Sequence, residues 1–239
     1  MKITRKLYFL FLMLVLSVPV LAQAPDDDPK EGLSTAKKRA DSAAKVFNDM
    51  MSKPDSAIPK TLLDKAEAVI IIPGAVRAAF GIGGRGGRGV VVRRTATGWG
   101  EPAFVKMGGG SLGAQIGVSV TDYIMLVMNE GGLEGLMQDE WEIGGDVGAV
   151  AGPVGREAGA STNVTLDAEI LSYSKAKGLY VGAALKGAKL YPDNALNNKV
   201  YNMDAKEILS NEQGKSVNQM KREVRAVPQA LARHSPKKS

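Results

Sequence analysis

The sequence predicts an α+β domain: helices first, then a glycine-rich, mostly antiparallel curved sheet or barrel-like core, then a helical tail. Three observations predict it. Over 32–52, Leu33, Ala36, Ala40, Ala43, Phe47 and Met50 recur at spacings of three and four, which is one apolar stripe of a helix. From 74 to 187 lie 26 of the 28 glycines, separating short runs rich in β-branched and aromatic residues. In 215–234, Val217, Met220, Val224, Val227 and Leu231 return to a three-four spacing.

The elements follow in order. Lys2, Arg5 and Lys6 precede an unbroken apolar run from Leu7 to Leu16, and Val20 and Ala22 close a small-residue exit. That layout predicts a signal peptide over 1–22, cleaved after Ala22. Its apolar run is shorter than the roughly 20 residues a spanning helix needs. The expected destination is the periplasm, or secretion. Residues 23–31, with Asp26-Asp27-Asp28 between prolines, read as a solvated linker. After the first helix, Pro59 opens a short second one with Leu62, Leu63 and Ala66 as its apolar face. Ala68–Ile72 is a buried-strand run closed by Pro73-Gly74. Further strands are expected at 89–94, 103–107, 115–120, 123–128, 147–151, 168–174 and 179–185, with a short helix at 133–138. One domain over 32–203 is expected, then a basic, helical and finally disordered tail over 204–239. Within that tail 204–211 forms a helix, and Pro228 kinks or ends the last one.

Composition removes several function classes. The chain has 239 residues, no cysteine and one histidine, His234. Disulfides, thiolate metal sites, cysteine nucleophiles and His-rich metal clusters are therefore excluded. The net charge of +6 is concentrated at the ends. Removing residues 1–22 leaves +3, and 205–239 carries eight bases and three acids, so the body at 23–204 stands at −2. That balance does not describe a nucleic-acid-binding domain.

Two glycine motifs fail in context. Gly81-x-Gly83-x-x-Gly86 matches a dinucleotide fingerprint, but the strand signal Val90–Arg94 follows it where a helix is required. Gly109-Gly110-Ser111-Leu112-Gly113 matches a nucleophile elbow, but a strand pattern follows, and the single histidine lies in the tail. No enzyme, cofactor or metal site is read from the chain.

One cluster remains. Residues 75–100 contain no acid and five arginines: Arg77, Arg85, Arg88, Arg93 and Arg94. Arg85 and Arg88 sit among glycines, whose backbone N–H groups can approach an anion, while guanidinium forks suit phosphate oxygens. The plainer reading is a solvated loop and strand face paired with acids elsewhere. Strand alternation sends Arg93 and Arg94 to opposite faces, so the five do not share one site.

In their order, these segments resemble the SYLF domain family. Carrying the resemblance are Val69–Pro73, the GxGGxxGxG run into Val90–Arg94, Trp99-x-x-Pro102-Ala103-Phe104 and GGGSLGAQIG at 108–117. It continues through Gly152-Pro153-x-Gly155-Arg156, Ser172–Leu179 and Gly182 to Gly187, covering about 35–203. The resemblance implies a lipid-binding module without catalytic residues, here an exported stand-alone member. It also implies a part in membrane contact for the basic first helix, at Lys37, Lys38, Arg39 and Lys45. The expected ligand is an anionic phospholipid or membrane surface. Arg85 and Arg88 would hold phosphate, with Arg77, Arg93, Lys37, Lys38 and Arg39 in support. The alternative is a structural or interaction protein of the cell envelope, docking a partner or a second copy through 215–234.

Overall fold

The computed structural model describes residues 29–143, 149–155, 168–176, 178–183, 185 and 187–236. The expected signal peptide and most of the expected linker lie outside the described residues. The α+β class is the one observed. Helix α1 (Pro29–Met51) and the short α2 (Lys60–Lys65) lead into the strands. These are β1 (Ala68–Thr95), β2 (Gly98–Trp99) and β3 (Ala103–Val127). Helix α3 (Glu130–Leu136) precedes β4 (Trp141–Ile143), β5 (Ala149–Ala151), β6 (Ile170–Ala176), β7 (Leu179–Gly182) and β8 (Ala188–Pro192). Helices α4 (Asn194–Tyr201), α5 (Ala205–Ser210) and α6 (Ala226–His234) finish the chain.

The sheet runs β2-β1-β3-β6-β5, with β7 on β6 and β8 bridging β3 and β4. Its pairings are antiparallel except β5 with β6. Its spine is the β1–β3 ribbon, paired from Ala68↔Val127 to Val91↔Ala103. The sequence predicts several short strands here, broken by glycine turns. Instead most of these glycines stay extended, and the strands fuse into segments of 28 and 25 residues. Glycine accepts extended backbone as readily as turn backbone, so its presence alone does not end a strand. For two glycines of β1 the reason is packing. A Cβ on Gly87 would lie 2.6 Å from Ile72 Cγ2, and one on Gly89 would lie 2.0 Å from the Ile71 carbonyl oxygen. Strand β1 therefore curls back on itself, and only hydrogen fits where its two halves meet.

Alternation gives the sheet two buried faces. One carries Val69, Ile71, Val90, Val92, Phe104, Ile124 and Leu126. The alanine-rich stripe of α1 packs there, joined by Leu196 and Val200 of α4 and Val227 and Leu231 of α6. The other face carries Ile70, Ile72, Val91, Met107, Met125 and Leu190 under Leu133, Trp141 and Ile208. Inside the first layer Asn197 acts as a short strand. Its Nδ2 donates to the Phe104 carbonyl at 3.1 Å, and its Oδ1 accepts from the Phe104 N–H at 2.8 Å.

The C-terminal stripe corrects one expectation. A 3₁₀ turn (Val217–Gln219) and then α6 carry the stripe, and Pro228 stands in the first turn of α6, where it costs little, instead of kinking or ending a helix. Met220, Val224, Val227 and Leu231 are buried in this domain's own core. They are not open to a partner or to a second copy.

Candidate anion-binding surface

The run 75–100 is not a loop but the bulk of β1 and its turn. Its five arginines separate into three situations. Arg94 is a buried clamp: Nε donates to the Ala66 carbonyl, Nη2 to the Leu63 carbonyl and Ser235 Oγ, and Nη1 to the Pro236 carbonyl, all within 3.1 Å. Its guanidinium carbon stands 3.9 Å from the Trp99 ring centroid. Arg93 is also committed. It donates to the Leu209 carbonyl at 2.8 Å and pairs with Glu212 at 3.1 Å, at the rim of a surface groove of about 400 Å³. It is therefore not a free cation for a ligand.

The other three lie on the ribbon proper. Arg77 is opposite Ser119, Arg85 opposite Gly109 and Arg88 opposite Lys106. Arg77 and Arg88 are exposed, with no ion pair or hydrogen bond among the described residues. Arg85 is half-buried, and its Nε is buried without a hydrogen-bond partner. Being three residues apart on one strand, Arg85 and Arg88 point to opposite faces. One phosphate held by both, as a loop would allow, does not fit this geometry. Alternation puts Arg77 with Arg85 on one face, and Arg88 on the α1 face.

The basic residues of α1 divide as well. Lys37 pairs with Asp41 one helical turn on, and Lys38 is exposed. Arg39 is an internal strut. Its Nη1 lies 2.7 Å from Asp193, which Lys106 also reaches at 2.9 Å. Burial alone would raise the Asp193 carboxyl, but the hydrogen bonds from Lys106 and Arg39 hold it below the ordinary carboxylate value. Asp193, Asn197 and Lys106 have no local motif. Asp193 and Asn197 lie one helical turn apart at the start of α4, while Lys106 and Arg39 come from positions far away in the chain, and only the folded ribbon shows their roles.

A feature that the sequence motifs do not reveal lies beside Arg77. Val76, Val118 and Val120 are exposed on the outer part of the ribbon, and Leu179 and Val181 are exposed on β7. The alternating Val118-Ser119-Val120 is its one local sign. His234, the histidine that a serine hydrolase would require, ends α6 and packs edge-on to Phe47 at 5.7 Å. Among the described residues no three acidic or histidine side chains are grouped to hold a metal ion, and no helix is long and apolar enough to cross a membrane.

Comparison with known proteins gives this architecture relatives. A family model described as "Ysc84: Las17-binding protein actin regulator" matches residues 108–233, more than half of the chain. LAS seventeen-binding protein 3 of Saccharomyces cerevisiae is 33% identical over 189 residues, covering 76% of this chain and 41% of that protein. Protein YSC84 of the same yeast is 33% identical over 186 residues, covering 73% and 39%. The human SH3 domain-containing YSC84-like protein 1 is 30% identical over 178 residues, covering 72% and 52%. The chain thus spans about two fifths to one half of the length of these relatives, of which one is named as a binding protein and one as an SH3 domain-containing protein. With the matched region running from the ribbon's inner strand into α6, the chain belongs to the Ysc84 family, the SYLF-domain proteins.

Proposed function

We propose that this chain is a non-enzymatic, exported module that docks on anionic phospholipid through the arginines of the β1–β3 ribbon. One observation carries the reading. From 74 to 121 the chain holds a single acid, Glu101, already engaged by Lys215 at 2.9 Å, while Arg77 and Arg88 stand exposed on strand. A ribbon that carries exposed cations, with its nearby acids Glu101 and Asp122 already paired, attracts an anionic layer whatever its headgroup. Each such cation near the layer is worth about 1 kcal/mol. Arg85 and the exposed Lys38 add to the field, while Arg39, Arg93 and Lys37 are held by partners of their own. Under this reading residues 1–22 are removed on export, and mass spectrometry of the exported chain should find Gln23 at its start.

The test is co-sedimentation of the processed chain (residues 23–239) with neutral and anionic vesicles at low and moderate salt. Binding should be selective for the anionic vesicles and weaken with salt. The double variant R77Q/R88Q should bind about thirtyfold more weakly at low salt. Equal binding by the variant would reject this surface. A second reading is a protein partner, as the relatives' names suggest for those proteins. It gains ground if neither vesicle is bound.

A further inference from the structure

We infer that the outer part of the β1–β3 ribbon is an amphipathic wedge that lies in the headgroup layer of an anionic membrane, with Val76, Val118 and Val120 towards the acyl chains and Arg77 at phosphate level. This rests on the lipid reading above and adds a contact that salt does not screen.

The register makes the wedge. Val76 pairs with Val120 and Ala78 with Val118, so the four residues share one face. The valines are 45%, 67% and 74% exposed at positions 76, 120 and 118. Their face continues the one that, further in, carries Ile124 and Leu126 beneath α1. Arg77, opposite Ser119, lies on the reverse face. Beyond these pairs the backbone sets Phe80 against Ile116 and Ile82 against Leu112. Apolar on one side and polar or cationic on the other, the ribbon is the two-residue-period counterpart of an interfacial amphipathic helix.

Its thickness also fits. Strand β8 pairs with β3 over 105–108 and β6 pairs with it over 123–127, so among the described residues the ribbon between is only two strands wide. Arg77 sits on β1, on the face opposite the valines. With the valines facing inward, its guanidinium stands at the depth of phosphates, where long cationic side chains settle.

Charge selects the occupant. Exposed apolar surface of this kind marks a contact site, and the contact must tolerate Arg77 and Arg88, while Asp122 at the base of the ribbon is engaged by the Gly74 N–H and Lys175. A second copy would bring the same arginines together, which like charge disfavours. A surface with an apolar interior and a negative skin meets both requirements.

The chain has no cysteine, so a single introduced thiol reports on one position. In the processed chain, Val118→Cys carries an environment-sensitive fluorophore, and Ser210→Cys, exposed on α5, serves as control. Vesicles of phosphatidylcholine alone and of phosphatidylcholine mixed with phosphatidylglycerol are added at low and high salt. The label at 118 should shift to the blue and escape an aqueous quencher on the mixed vesicles, and the label at 210 should not. The unlabelled variant V76S/V118S/V120S should bind at least about tenfold more weakly at high salt. It should melt like wild type, since these side chains face solvent. If wild type binds the mixed vesicles while the label at 118 stays in water, the wedge is overturned and arginine docking stands. Binding of the valine variant equal to wild type at both salts would overturn the wedge in the same way. If wild type binds neither vesicle, the lipid reading fails and the wedge fails with it.

Discussion

Arg94 holds together parts of the chain that meet only in the folded state. Its four donations reach the end of α2, the segment leaving α2 and the two residues after α6, and Ser235 in turn donates to Asp64 at 2.6 Å. Trp99 Nε1 adds a bond to the Ser235 carbonyl at 2.7 Å. Burial lowers the Arg94 pKa, against the pull of Asp64 and Glu67. At this scale the sequence announces a concentration of arginines but not their division of labour. The chain sets Arg85 and Arg88 among glycines and Arg93 and Arg94 on a strand, but it does not show that the latter two are committed, because their partners lie up to 142 residues away. Arg94→Ala should lower stability by roughly 3 kcal/mol, because it leaves several buried acceptors without a donor. Arg94→Lys should recover only part of that loss, since an ammonium cannot reproduce the planar fork. Urea unfolding of the two variants checks both. A loss below about 1 kcal/mol for Arg94→Ala would show the clamp to be dispensable.

Elements are legible where periodicity is strong. The stripe of α1 is buried as the spacing requires, and the helix starts three residues earlier than the stripe alone suggests. Strand existence is legible too, but strand length is not. Glycine reads as punctuation at Gly81–Gly89 and Gly108–Gly113, where the chain remains extended because the ribbon must curl and its halves must touch. The tail misleads for the opposite reason. A three-four spacing at 215–234 reports an apolar face without saying whose core it joins, and here that core is the domain's own. The curl gives a sharp prediction. Gly89→Ala should destabilise by several kcal/mol, about 3 or more, because its Cβ would fall on backbone that has no rotamer to yield. Gly110→Ala on the same ribbon, where nothing lies within 4 Å of the added Cβ, should change stability by less than about 1 kcal/mol. Thermal melts of the pair measure it, and equal melting points would mean that β1 does not close on itself.

Across the whole molecule, ion pairs tie the helices to the sheet and set how the fold meets acid. Asp49 on α1 receives Lys175 of β6 at 2.8 Å, and Asp193 joins α1 to β3 through Arg39 and Lys106. Asp49 is held below its ordinary value chiefly by the Lys175 hydrogen bond. For Asp193 and Asp64, burial opposes the shift and hydrogen bonds from Lys106 and Arg39, and from Lys60 and Ser235, prevail. A carboxyl depressed in the folded state contributes stability that is complete above its unfolded value, 3.8, and is lost as pH falls through the lower folded one. His234 adds an earlier and smaller step. Burial first and Arg233 second lower its pKa from 6.5, so the folded state favours neutral imidazole. That contribution is complete above about pH 6.5 and declines as pH falls towards the lowered value. The melting temperature should therefore hold level from pH 8 to about 6.5, dip slightly, and drop steeply only below about pH 4. His234→Gln should remove the first step and leave the second. Asp193→Asn should lower stability at neutral pH and flatten the acid limb, because the lost attraction no longer depends on protonation. A wild-type curve without an acid limb would show that these ion pairs, though well placed, lie too near solvent to matter.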